Sequence, residues 1–203
     1  MFSFGSVAVM AQDAAPYPTP KTVDESCNTI HLPAEVLLNG INRCLFATAN
    51  DEIRLVMNGI FFDIQPDCLI FAGTDGRKLV RNRNHTVKSG ITSNFILPKK
   101  VCSILKAVLS KEDENIEIKF DSDKACIKSE DLTMHFRLIE GRFPNYNAVI
   151  PQNNPYSATI DRASLASALK RVSVFCNQSS GLVKLELANN TLKLTGQDNE
   201  FAT

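Results

Sequence analysis
The chain has 203 residues, 44% of them hydrophobic, which is enough to bury a core and excludes a disordered tail. Its 22 lysines and arginines equal its 22 aspartates and glutamates, so attraction to nucleic acid or membrane can come only from charge segregated on one face. Six scattered cysteines form no Cys-x-x-Cys pair and the three histidines stand out of register with them, which reads as buried thiols in a reducing compartment and leaves no zinc-ligand spacing.

In chain order, no Lys or Arg precedes Lys21 and the apolar run Val7-Ala8-Val9-Met10-Ala11 is short for a signal peptide, so residues 1–12 read as an edge strand ending an earlier domain. No run approaches bilayer length, which predicts a cytoplasmic protein. Pro16, Pro18 and Pro20 predict an extended linker. A short strand at 30–32 leads to Pro33, which opens a helix through about Ala49 with Leu37, Ile41, Cys44, Leu45 and Thr48 on one face and Asn39, Asn42 and Arg43 opposite. Ile60, Phe62 and Ile64 alternate with Phe61 and Asp63, Gln65-Pro66-Asp67 breaks the run, and a second strand follows at 68–72. Asp75-Gly76 predicts a two-residue hairpin turn before the next strand.

Strands at 86–88 and 95–97 are then expected around a Ser-Gly turn, followed by a helix from Pro98 to about Lys111. Its apolar stripe is Val101, Ile104, Leu105, Val108 and Leu109, with Lys99, Ser103, Lys106 and Ser110 opposite. Strands at 116–120, 125–128 and 134–139 finish this module, and a Pro/aromatic connector spans 141–151. A helix at 161–177 and two strands close the chain. Gly181 to Asp198 lies over Asn58 to Asp75 at a constant offset, with Leu69, Gly73 and Asp75 meeting Leu192, Gly196 and Asp198. Leu37, Ile41 and Arg43 fall likewise on Leu165, Leu169 and Arg171. The chain therefore reads as copies of one α+β module of roughly 120 to 130 residues, each a β-α-β-β-β half taken twice, with one helix on each small antiparallel sheet.

Two cationic sets stand out. Arg43, Lys99, Lys106, Lys170 and Arg171 recur on outward helix faces, which is either a solvated surface or one that meets phosphates without reading bases. Arg77, Lys78, Arg81, Arg83 and Lys88 form a second patch on a strand and loop, part of which serves to protect a sheet edge. Asp63, Asp67 and Asp75 have turn or strand-face roles. With no phosphate-binding Gly-x-x-x-x-Gly-Lys loop and no Gly-x-Ser-x-Gly elbow, catalysis is not expected.

Three stretches carry a resemblance: Asn58-Gly59-Ile60-Phe61-Phe62, Thr74-Asp75-Gly76-Arg77-Lys78-Leu79 and Glu140-Gly141-Arg142-Phe143-Pro144-Asn145-Tyr146. They resemble middle-domain signatures of the bacterial sliding clamp, the β subunit of DNA polymerase III. The resemblance implies a DNA-clamp fold with helices lining one side of a curved antiparallel sheet. It implies a non-catalytic, cofactor-free and metal-free subunit that closes with a second copy into a ring on double-stranded DNA. The partners it implies are the DNA polymerase III catalytic subunit, the clamp loader and other proteins bearing a clamp-binding motif.

On this chain the resemblance places the end of a first domain and a linker at 1–26, a complete middle domain at 27–150 and half of a third at 151–203. It implies a partner groove walled by Met57, Thr74, Gly76, Arg77, Leu79, Pro144 and Val149, and a DNA-facing set of Arg43, Arg54, Lys99, Lys106, Lys170 and Arg171. Arg77-Lys78 replaces a pair that is often His-Arg in the family, and Ala148 stands where a basic residue is common. The expected geometry has Leu79 beside Met57 on a neighbouring strand, Pro144 holding the connector extended and Val149 closing the depression. Leu79 as a plain core residue is the alternative. A chain of this span is not expected to close a ring, and 183–195 would stand as an apolar edge. The competing function is an adaptor that binds proteins without encircling DNA.

Overall fold
The computed structural model describes residues 8–18, 23, 27–109, 115–177 and 179–197. The expected features at 1–7, Ser110, Lys111 and Asp198 lie outside the described residues. The chain divides into two compact units, 1–150 and 151–203. In the first, β1 (Asn28–Leu32) leads to α1 (Ala34–Cys44), β2 (Gly59–Gln65), β3 (Cys68–Thr74), β4 (Leu79–Asn84), β5 (Ser93–Pro98), α2 (Lys99–Val108), β6 (Ile116–Phe120), β7 (Lys124–Lys128) and β8 (Thr133–Arg137). All strand pairs are antiparallel, in two four-stranded sheets ordered β4-β3-β2-β5 and β1-β6-β7-β8.

The β-α-β-β-β half does occur twice, but each half lends its first strand to the other half's sheet. That exchange ties the halves together, and non-local pairing of this kind leaves no periodic mark in the sequence. One core joins α1, α2 and the inner faces of both sheets. Phe71, Phe62, Phe95 and Phe120 run through it as successive ring contacts at 4.8, 4.5 and 4.6 Å, crossing from the first sheet into the second. Phe62, Phe71 and Phe120 are each at most 1% exposed, and burying one such side chain stabilises by about 1.5–3 kcal/mol. A second cluster, on the outer face of the first sheet, holds Ile70, Ala72, Ile96, Phe143 and Tyr146.

Several local expectations are corrected. Thr74 pairs with Leu79, so Asp75-Gly76 belongs to a four-residue loop; the two-residue turn is Pro66-Asp67, between paired Gln65 and Cys68. Residues 86–88 are not a strand, because the Asn84 carboxamide oxygen accepts hydrogen bonds from the Thr86 and Val87 amides and the Thr86 hydroxyl, turning the chain. α1 ends at Cys44 and continues as a short 3-10 turn, Leu45–Ala47. In α2, Ile104 and Val108 are 39% and 51% exposed, and the buried face is Val101, Cys102 and Leu105 instead. Residues 8–13 form no strand, and the expected extended linker bends at 14–17, where the Tyr17 amide donates to the Ala14 carbonyl at 2.9 Å.

The second unit comprises α3 (Arg162–Ser173), β9 (Val183–Ala188) and β10 (Thr191–Gly196). α3 is capped by the Asp161 carboxylate, which accepts from the Ser164 amide at 2.8 Å. Asn189 and Asn190 both have positive φ, 49° and 59°, the conformation a two-residue hairpin requires. The repeat seen in the sequence is physical. A Cβ on Gly73 would lie 2.7 Å from the Cys44 carbonyl oxygen at the end of α1, and one on Gly196 would lie 2.8 Å from the Val172 carbonyl oxygen near the end of α3. Each glycine lets a helix end close against its hairpin. Among the described residues no helix is long and apolar enough to cross a membrane. No three metal-ligating side chains gather there either.

Candidate partner groove and DNA-facing helices
The loop between β3 and β4 is built from the backbone upward. The Asp75 carboxylate accepts from the Arg77 and Lys78 amides, both at 2.9 Å, and pairs with the Lys78 ammonium. These contacts hold the Asp75 carboxyl well below the usual carboxylate range, the Lys78 side chain first among them. The Thr74 hydroxyl donates to the Lys78 carbonyl at 2.8 Å and accepts from the Gly76 amide at 3.1 Å. Gly76 itself sits at φ 86°, a conformation that favours glycine.

Of the predicted groove set, Thr74, Gly76, Arg77 and Leu79 therefore form one rigid corner. Leu79 is half-buried against the outer cluster. Met57 is not on a neighbouring strand: it ends the 3-10 turn Leu55–Met57 ahead of β2, because Asp51 and Asn58 close the preceding loop on each other. Val56, its neighbour, packs into the Leu79 cluster. The connector is not extended past Pro144 but curls into the 3-10 turn Tyr146–Val149, leaving Val149 68% exposed.

The sequence reading missed what fills the depression. Phe143 stacks on Phe61 with ring centroids 4.7 Å apart, and Tyr146 meets the same ring edge-on at 6.1 Å. The Tyr146 hydroxyl donates to the Asp63 carboxylate at 2.6 Å. Burial first, then that carboxylate, pushes the Tyr146 hydroxyl up to about 12. The available signal was Phe61 and Asp63, which alternate out of the core, together with the two aromatics carried by the connector.

The set expected to face DNA divides. In the first unit α1 packs on β3 and β4, α2 packs on β2 and β5, and the two helices touch. Arg43 and Lys106 are exposed; Lys99 is half-buried and donates to the Asn50 carboxamide at 3.1 Å. Lys99 and Lys100 occupy the first turn of α2 with no acid there. They add to the positive end of the helix dipole where carboxylates usually offset it, which concentrates positive potential. Arg54 does not join them. Its guanidinium pairs with Asp51 at 2.8 Å and lies over Gly76, at the groove corner. Lys170 and Arg171 are exposed in the last turn of α3, in the second unit.

Two cavities lie where the sheets meet, of about 320 and 230 Å³, both bordered by Asn94, Asp121 and Ser122; neither includes a groove residue.

A helix pair on one side of two antiparallel sheets, with interleaved halves, is the architecture of the sliding clamps. A solved clamp from Pseudomonas aeruginosa matches at a TM-score of 0.83 with 23% identity over 93% of this chain and 52% of its own. The beta subunit from Thermotoga maritima matches at 0.81 with 23% identity, covering 93% and 51%. The family model for the DNA polymerase III beta subunit central domain matches residues 31–145, and that for its C-terminal domain matches 147–203. The chain belongs to the DNA polymerase III beta subunit family. Beta sliding clamps from Synechococcus elongatus and Chlamydia pneumoniae are each 30% identical to it, over 176 and 165 residues; these cover 84% and 81% of this chain and 47% and 45% of theirs. The chain thus spans about half the length of the curated relatives it matches.

Proposed function
We propose that the chain forms part of a sliding-clamp processivity factor, with residues 1–26 ending one clamp domain, 27–150 making a whole middle domain and 151–203 beginning a third. In this reading two full-length subunits encircle duplex DNA without regard to sequence. Arg43, Lys99, Lys106, Lys170 and Arg171 meet phosphates, while the corner at Thr74, Gly76, Arg77 and Leu79, with Met57, Pro144 and Val149, receives peptides. Those peptides belong to the DNA polymerase III catalytic subunit, the clamp loader and other motif-bearing proteins. The role is non-catalytic, needs no cofactor and is exercised in the cytoplasm. Arg54 serves the peptide corner in this reading, not the DNA.

The observation that supports it is the two-sidedness of residues 27–150: Arg43, Lys99 and Lys106 on the helices, and on the opposite face of the same sheet an apolar cluster, bordered by Arg81 and Arg83. A ring needs the first to hold a backbone it does not read, and a tether needs the second. Full-length subunits bearing these modules should stay loaded on a nicked circle and run off a linear duplex. Equal retention on both would replace the ring with the adaptor that binds proteins only.

A further inference from the structure
We propose that the outer face of β4 is a cationic strip that takes an acidic segment of a partner chain, next to the apolar anchor at Leu79; this rests on the groove reading of Leu79. In the β3–β4 register Arg81 pairs with Ala72 and Arg83 with Ile70, and both apolar partners belong to the outer cluster that Leu79 packs against. Leu79, Arg81 and Arg83 therefore project from one face, each about 7 Å along from the last, the same-side spacing of any extended peptide. An extended ligand with an apolar residue at Leu79 presents its following alternate side chains to the two guanidinium groups.

Among the described residues those groups have no acidic partner. Asp63, on the same face, has both oxygens engaged, by the Tyr146 hydroxyl at 2.6 Å and the Gln65 amide at 2.5 Å. Asp75 is occupied by Lys78. Among the described residues no carboxylate pairs with Arg77, Arg81 or Arg83. Arg81 donates to the Asn147 carboxamide at 3.3 Å, which seats it against the connector. A charge that only guards a sheet edge has no need to share a face with the groove. A duplex held by α1 would lie on the other side of this sheet, since α1 packs on the inner face of β3 and β4. An acidic protein segment is thus the occupant that fits.

The test titrates three synthetic peptides into the 203-residue chain and its R81Q/R83Q variant: a Leu/Phe anchor with a neutral flank, the same anchor with a flank of aspartates, and the acidic flank alone. At low salt the acidic flank should tighten anchor binding about tenfold, worth about 1.4 kcal/mol. That advantage should vanish in the variant and at high salt, with neutral-flank affinity unchanged. Both arginines are exposed, so the variant should melt with the parent, and R81K/R83K should restore part of the advantage. Equal affinity for both anchored peptides, or an advantage that survives in R81Q/R83Q, overturns the proposal. So does a matching loss of duplex DNA binding in the variant, which would make the strip a nucleic-acid surface. If the neutral-flank peptide does not bind, the groove reading fails by itself, and the acidic flank alone then decides: salt-sensitive binding lost in R81Q/R83Q sustains the strip, and no binding refutes it.

Discussion

Gly73 and Gly90 show how differently two glycines can be required. A Cβ on Gly73 would meet the backbone carbonyl of Cys44 at 2.7 Å, and a backbone atom cannot swing away as a side chain can. Gly73→Ala should therefore cost about 3 kcal/mol of unfolding free energy in a denaturant melt, the upper end of the usual range for overpacked core sites. Gly90, at φ 69° with open space around it, should cost only the left-handed backbone term of about 1 kcal/mol on the same change. Equal losses would refute the close-approach argument. Leu79 is the other decisive residue. It is half-buried rather than in the main core, so Leu79→Asp should lower stability by about 1–2 kcal/mol, against the 2–5 typical of a fully buried leucine truncated to alanine. Its effect on an anchor peptide should be larger, at least about 2 kcal/mol by calorimetry, as for a central hot spot. Intact peptide binding with a collapsed melt would make it a core residue only.

At the scale of elements, the connector is bound to its sheet by rings and one buried hydroxyl. Tyr146 has its hydroxyl raised to about 12 in the fold, above its ordinary value of 10.0, so its contribution is full below pH about 10 and is lost as pH rises through about 12. The stability gap between the parent and Tyr146→Phe should hold constant to pH about 10 and narrow above it, a trend read from melts at stepped pH; a gap that stays flat to pH about 12 would mean that neither burial nor Asp63 raises the hydroxyl. On the helices, Arg43→Ala with Lys106→Ala should flatten the salt dependence of duplex binding by up to about one unit per lost phosphate contact. Unchanged dependence would leave those faces to solvent. Such faces were readable because helical and strand periods mark the core: Leu37, Ile41, Ile60, Phe62 and Ile64 are all buried as the alternation implied. The α2 stripe was read too wide, because a period identifies a face without saying where its cover ends, and Ile104 and Val108 lie past that edge. The exchange of β1 and β5 has no local signature, and outward Phe61 and Asp63 mark a face without naming Phe143 and Tyr146 as its cover, since both arrangements arise from contacts between distant segments. The place of Arg54 was hidden for a similar reason: its charge was legible, but Asp51 and Gly76 beside it were not.

Over the whole molecule, the same hairpin appears twice with very different cover. Phe62 and Phe71 are each 0% exposed in the first unit, whereas Leu185, which the repeat places over Phe62, is 53% exposed in the second. Leu187, over the 1% exposed Ile64, is 54% exposed. Apolar area removed from water stabilises by about 25 cal/mol per Å², so the second hairpin lacks most of the driving force that holds the first. Its backbone ladder is complete, with β9 and β10 paired from Val183 to Ala188, so hydrogen bonding does not separate the two cases. Local opening should then cost less in β9 and β10 than in β2 and β3, and proteins do open in such cooperative pieces. Hydrogen exchange followed residue by residue should show amides of Leu185 and Leu194 exchanging at least about tenfold faster than those of Phe62 and Phe71, with the ratio kept when the pair is compared at equal intrinsic rates. Matching protection in the two hairpins would mean that burial does not set the local stability of this repeat and that the strand pairing alone suffices.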